Sequence, residues 1–265
     1  MLHSAPSRDE KYKIAAERIW EAFFKEFEDA EPRGQKVIIA ISGRSGSGKS
    51  SVAYYLCQCF MQHWKNKVKN VFQAEEGKWT RAERELSCEQ IRLWERKKAV
   101  HLWVDDFYKE NYMGLDPAGR KNRRKLRDYQ GIGPDEYDWI EIGAILDAFK
   151  RNKKSRMPCV DLLNQQIDWL ETDFSGCDVL VLDGLYAIDM SKQGLKADLS
   201  FFIEGEISTG PDPRDQETDN EERRIILAAE AKEIDNMKQY RINQRDLVAL
   251  TWDEQRQDWE IRQYR

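Results

Sequence analysis

Between Gly43 and Ser50 the chain reads GRSGSGKS: a glycine, four residues, then Gly48-Lys49-Ser50. These residue types at this spacing suit the binding of a triphosphate. Glycines let the backbone curl until successive N–H groups point inward at phosphate oxygens. Lys49 brings a full positive charge to the β- and γ-phosphates, and the Ser50 hydroxyl is short enough to ligate a Mg²⁺ ion held by them. Gly43, Arg44, Ser45, Gly46, Ser47, Gly48, Lys49, Ser50 and Ser51 are the candidates for nucleotide contact.

A magnesium ion needs a second anchor. Val179-Leu180-Val181-Leu182 reads as a strand buried on both faces, and Asp183 closes it. Ligands gather at the C-terminal end of such strands, so Asp183 is the expected metal partner of Ser50. Transfer of a phosphoryl group to a hydroxyl also needs a carboxylate to take the proton. Asp105 and Asp106 follow the run His101 to Val104 at the end of a second apolar segment. Adjacent residues of an extended chain point to opposite sides, so one of the pair is expected in the site, and Asp105 is the candidate base.

The elements that must position these residues can be read from periodicity and punctuation. Ser7 to Glu10, S-R-D-E, is a capping box. It opens a helix over about residues 8–30 with the apolar row Tyr12, Ala16, Ile19, Phe23, Phe27. Lys36 to Ser42, KVIIAIS, is a short β-branched strand. Ser51 to Trp64 has a helical face of Val52, Tyr55, Leu56, Cys59 and Phe60. Val68 to Phe72 reads as an edge strand, and Thr80 to Glu83 caps a charged helix running to about Lys98. Strands follow at Ala99 to Tyr108, Cys177 to Ala187 and Asp198 to Gly205, with a helix at Ile140 to Arg151. Ser208 to Asn220 is a polar, proline-broken loop, and the remainder to Arg265 is helical in pattern. Alternating strands and helices predict an α/β fold of the phosphate-loop NTPase type, a parallel sheet flanked by helices on both faces. One domain over residues 1–265 is expected, with an insertion at about 65–98 and a C-terminal helical or lid region at about 206–265.

The segments GRSGSGKS, VDDFY (Val104 to Tyr108), PDEYDW (Pro134 to Trp139), MPCVD (Met157 to Asp161) and VLDGLYA (Val181 to Ala187) occur in the order typical of one superfamily. Over about residues 36–205 the chain resembles the uridine kinase and phosphoribulokinase superfamily. That resemblance implies a five-stranded parallel sheet and transfer of the γ-phosphate of ATP to a hydroxyl of a small metabolite. It makes Lys49 and Asp105 the catalytic pair and Ser50, Asp105 and Asp183 the metal-side residues. It puts Tyr108 at the acceptor entrance and Asp135 and Asp161 on the acceptor side. A lid would bring arginines to the transferring group, and Arg223, Arg224, Arg241 and Arg245 are the candidates. Departures bear on the acceptor: Val160 precedes Asp161 where uridine kinases have Tyr, Gln165 falls near the place of a base-reading His, and Ile132 replaces an Asp. These remove contacts to a pyrimidine, so the superfamily, rather than a nucleoside kinase, is the expectation. Arg120 to Arg127, RKNRRKLR, is a solvated helix face or a recruiter of an anionic acceptor.

Composition excludes several other classes. The chain has 265 residues, 40% hydrophobic and 34% charged, with net charge −5, which argues against coating nucleic acid or an anionic membrane. No apolar run approaches the roughly 20 residues of a membrane span. Five cysteines without a CxxC pair, and three histidines outside any ligand-like cluster, argue against a disulfide framework or a zinc site. A cytoplasmic enzyme with reduced thiols is expected. Self-association is allowed, but no residue pattern carries it. A regulatory phosphate-loop NTPase, or a nucleotide-binding protein that has lost transfer activity, is the alternative. No N-K-x-D base reader and no LSGGQ segment supports the switch-type reading.

Overall fold

The computed structural model describes residues 7–24, 36–74, 98–109, 132–161, 166–204 and 220–264, with the side chains of 63–74, 98, 161, 166 and 220–223 excepted. The chain opens with helix α1 (Arg8–Phe23), strand β1 (Val37–Gly43) and helix α2 (Lys49–Ala74). Strand β2 (Lys98–Trp103), helix α3 (Trp139–Lys150) and strands β3 (Lys154–Asp161) and β4 (Gln166–Asp173) follow. Strands β5 (Cys177–Asp183) and β6 (Leu199–Glu204), helix α4 (Asn220–Asn243) and strands β7 (Leu247–Asp253) and β8 (Asp258–Tyr264) complete it.

The main sheet has the order β2-β5-β1-β6-β7-β8. The first five strands are parallel, and β8 returns antiparallel beside β7. Strand β1 lies between β5 and β6 with every residue buried, which is why it reads as an unbroken apolar run. Its side chains alternate between two cores. Ile38 and Ala40 join Leu180, Leu182 and the α3 residues Ile142, Ile145 and Phe149. Ile39 and Ile41 join Val181, the α1 residues Ala15, Ala16 and Ile19, and the α2 residues Val52, Leu56 and Phe60. Each large aliphatic side chain buried this way contributes roughly 1.5–3 kcal/mol against exposure. Helices therefore cover both faces, and the loop after β1 is fixed at the C-terminal edge of the sheet.

Several elements differ from their sequence expectation. Val68 to Phe72 is not an edge strand: α2 runs on through it, because no Gly or Pro interrupts residues 49–74 and helix propagation outweighs two β-branched residues. Strand β2 stops at Trp103, and Val104–Phe107 forms a 3-10 turn, so the paired aspartates stand on a turn rather than on extended chain. Helix α1 has its capping box, with Ser7 N–H donating to Glu10 at 2.6 Å, and ends at Phe23. The C-terminal region is not helical throughout, since β7 and β8 follow α4. Leu247 to Leu250 is too short to show a period, yet its four residues are all buried and extend the parallel sheet beyond β6. The hairpin β3–β4, unforeseen, is a separate two-stranded sheet with Pro158 opposite Trp169. The basic cluster at 120–127, the capping box at 80–83 and the loop at 208–219 lie outside the described residues.

Candidate active site

The loop between β1 and α2 has the backbone that a phosphate cradle needs. Gly46 and Gly48 take φ of 78° and 87°, a region in which a Cβ would be strained. A Cβ on Gly48 would also stand 2.0 Å from the Tyr12 ring of α1. Helix α2 begins at Lys49, so its free N–H groups and positive dipole end face the loop. Lys49 is 8% exposed, and no carboxylate among the described residues pairs with it. A buried lysine without an ion-pair partner is costly unless an anion is supplied. The Ser47 hydroxyl is likewise buried with no hydrogen-bond partner among the described residues. These groups fit a triphosphate.

The strand order brings the carboxylates to this loop. Strand β5 lies between β1 and β2, and Trp103 of β2 is in register with Asp183 of β5. Asp183 is 2% exposed and accepts the Ser50 hydroxyl on one oxygen. Its other oxygen lies 2.5 Å from His101 Nε2. With an ionised carboxylate, the imidazole N–H is the donor in that pair. His101 orients Asp183, a role that its place two residues before Trp103 on an apolar strand signals only weakly. Ser50 and Asp183 are hard oxygen donors suited to Mg²⁺, which keeps several waters and takes one or two carboxylates with substrate phosphates. No group of three or more metal-ligating side chains occurs among the described residues, which such a magnesium site does not require.

Asp105 and Lys49 line one cavity of about 440 Å³, with Ser45, Gly46, Gly48, Ser50 and Ser51. Asp105 accepts the Tyr137 hydroxyl at 2.9 Å. The Tyr137 oxygen is 2.8 Å from the Tyr108 hydroxyl, which must then be the donor in that pair. Tyr137 is fully buried, and desolvation first, then the Asp105 charge, hold its phenol well above the ordinary range. Asp106 accepts from the Val160 backbone toward the hairpin β3–β4, while burial, then Asp105, raise its carboxyl to about 7, with Asp183 adding to the rise. The 3-10 turn thus keeps both aspartates within each other's field instead of on opposite sides of a strand.

The remaining predicted residues fall elsewhere. Tyr108 is buried at 6% exposure and stacked on Tyr137, not standing at an open surface. Asp135 is exposed on a 3-10 turn, and its carbonyl accepts Lys109 Nζ at 2.8 Å. Within PDEYDW the structural work is done by Tyr137 and by Asp138, which caps α3 through the N–H groups of Ile140 and Glu141. Asp161 ends β3, and its side chain, like that of Arg223, lies outside the description. Arg224 and Arg245 are exposed. Arg241 is buried and committed to Ser200 at 2.7 Å and Asp246 at 3.0 Å, a structural post inside the fold. Arg44 pairs with Asp235 of α4 at 2.7 Å, tying the loop to that helix.

Known proteins are similar to this chain. The model of the Phosphoribulokinase / Uridine kinase family matches residues 38–208, from β1 past β6. A uridine kinase of Ureaplasma urealyticum serovar 10 is 29% identical over 113 residues, 43% of this chain and 51% of that protein. A uridine kinase of Ureaplasma parvum serovar 3 is 25% identical over 168 residues, 63% of this chain and 62% of that one. The chain thus spans about half to three fifths of the length of these relatives. Among solved structures, the YGR205w protein superposes with a TM-score of 0.53 at 11% identity, over 96% of this chain and 99% of that one, a likeness of fold.

Proposed function

The chain belongs to the Phosphoribulokinase / Uridine kinase family, and from that premise we propose that it transfers the γ-phosphate of ATP to a hydroxyl of a small molecule. One observation carries this reading. A buried lysine without a carboxylate partner among the described residues shares a cavity with a carboxylate held by a tyrosine. The loop amides and Lys49 hold the β- and γ-phosphates, and the α2 dipole favours them there. A bound Mg²⁺ would supply positive charge to offset that of the phosphates. Ser50 and Asp183 would hold it, with His101 fixing the Asp183 carboxylate. Asp105 takes the proton of the acceptor hydroxyl as its oxygen bonds to the γ-phosphorus and the bond to the ADP oxygen breaks. Tyr137 keeps Asp105 aimed into the cavity.

The same reading has the enzyme working in the cytoplasm on a small acceptor. Among the described residues no helix is long and apolar enough to cross a membrane. Val160 and Ile132, where nucleoside kinases carry polar or aromatic groups, favour an acceptor other than a pyrimidine nucleoside. ADP release measured against a panel of nucleosides, sugars, sugar phosphates and hydroxy acids tests the reading. Stimulation by one class, with phosphate recovered on its hydroxyl, supports it. A basal ADP release that no acceptor raises would favour a regulatory NTPase instead, and no nucleotide turnover at all would favour a binding protein.

A further inference from the structure

We propose that helix α1 is a wall of the nucleotide site and that Arg8 is a second phosphate-binding cation beside Lys49. This rests on the donor-site reading given above, but it concerns residues outside 38–208, the span the family model covers. Two cations line the cavity among the described residues, Lys49 and Arg8, and the α1 residues Asp9 and Tyr12 line it as well. Arg8 is held in place: one terminal nitrogen donates to the Gly46 carbonyl at 2.6 Å, and Nε donates to the Tyr12 hydroxyl at 2.8 Å. The rest of its donor fork has no partner among the described residues and stands at the phosphate loop. A planar guanidinium suits phosphate oxygens there, where charge-assisted hydrogen bonds are strong.

The helix that carries Arg8 is anchored at many points. The Tyr12 ring lies so close to Gly48 that no Cβ fits between them. Asp9, the carboxylate next to Arg8, accepts the Tyr55 hydroxyl of α2 at 2.5 Å. Trp259 Nε1 of β8 donates to the Lys11 carbonyl at 2.6 Å, and Arg18 pairs with Asp258 at 2.7 Å. Ala15, Ala16 and Ile19 are fully buried against α2 and the sheet. Two other arginines within reach of the loop or of α4 are already engaged, Arg44 by Asp235 and Arg241 by Asp246. Among the described residues, Arg8 is therefore the cation held ready for an anion next to Lys49.

The test is titration calorimetry of the full chain with ATP, ADP, AMP and adenosine. Arg8→Gln is expected to weaken ATP roughly tenfold, the size of a charge-assisted contact, with a smaller loss for each phosphate removed and none for adenosine. Arg8→Lys recovers part of the loss by restoring the charge. Tyr12→Phe, which keeps the ring on Gly48 and frees the guanidinium, produces a loss of the same pattern but smaller size. A melting curve without nucleotide reports folding, and a loss equal for all four ligands would mean a merely structural role. If Arg8→Gln binds ATP as the parent does while Lys49→Ala does not, the donor site stands and Arg8 is no part of it. Tighter ATP binding in Arg8→Gln would make α1 an obstruction and overturn the proposal. A parent protein that binds no triphosphate would remove the donor-site reading itself.

Discussion

The Tyr137 hydroxyl donates to Asp105 at 2.9 Å, joining a buried phenol from the PDEYDW segment to a carboxylate that lines the same cavity as Lys49. Asp105→Asn is expected to abolish turnover and leave ATP affinity intact. Tyr137→Phe should lower kcat by roughly ten- to a hundredfold, the worth of one hydrogen bond to a charged group, with ATP affinity again unchanged. Steady-state kinetics together with calorimetry separate the two effects. A normal kcat in Asp105→Asn would remove it as the base.

Ser50 and Asp183 are joined across the loop, with His101 behind them. On the proposed metal site, Asp183→Asn and Ser50→Ala are expected to raise the Mg²⁺ concentration that half-saturates turnover by roughly tenfold or more, since each removes a proposed metal-side oxygen or its charge. His101→Ala should raise it less, because it acts by holding Asp183. Turnover measured over a Mg²⁺ series checks this, and an unchanged midpoint in Asp183→Asn would count against the metal assignment.

Gly48 meets two demands at once, a left-handed φ of 87° and contact with Tyr12. Gly48→Ala should cost about 1–2 kcal/mol from backbone conformation alone, plus the displacement of α1. Adding Tyr12→Ala to the same chain relieves the clash but not the backbone term, so stability should return only in part. Denaturant unfolding of the single and double variants measures both contributions. Full stability in the single variant would contradict the seating of α1 on the loop.

Asp106 gives a pH dependence whose sign follows from its raised carboxyl. A carboxyl at about 7 in the fold and near its ordinary 3.8 when unfolded stays protonated longer in the folded state. Its contribution is therefore most favourable below about pH 4 and is lost as pH rises toward and through 7. Asp106→Asn keeps an acceptor for the Val160 N–H and removes the charge. In EDTA it should raise Tm at pH 8 and give little change near pH 4. Equal Tm differences at both pH values would show that burial and the neighbouring Asp105 do not hold the proton.

Much of this was legible in the sequence because it rests on local rules. The loop declared itself through glycine spacing and the Lys-Ser ending, and β1 and β5 through runs buried on both faces. The α1 cap was written in Ser7 and Glu10. What stayed hidden depended on tertiary partners. Leu247 to Leu250 shows no alternation because β6 and the two cores bury it from all sides. The turn at Val104–Phe107 breaks a stretch whose composition is still that of a strand. Tyr137, Asp138 and His101 have their roles only because the fold brings Asp105, the start of α3 and Asp183 to them. Arg241 looked free for a lid because nothing in the sequence announces that Ser200 and Asp246 would claim it.

The seating of α1 on β8 joins Trp259 to Lys11 across 248 positions of chain. A contact so distant cannot form until the chain has been made through Trp259, and long-range closure of this kind slows folding. During synthesis the glycine loop can gain its helix early, while α1 still lacks its second anchor. A nick in the 254–257 turn would have the same effect on finished molecules, loosening a helix far away in the sequence.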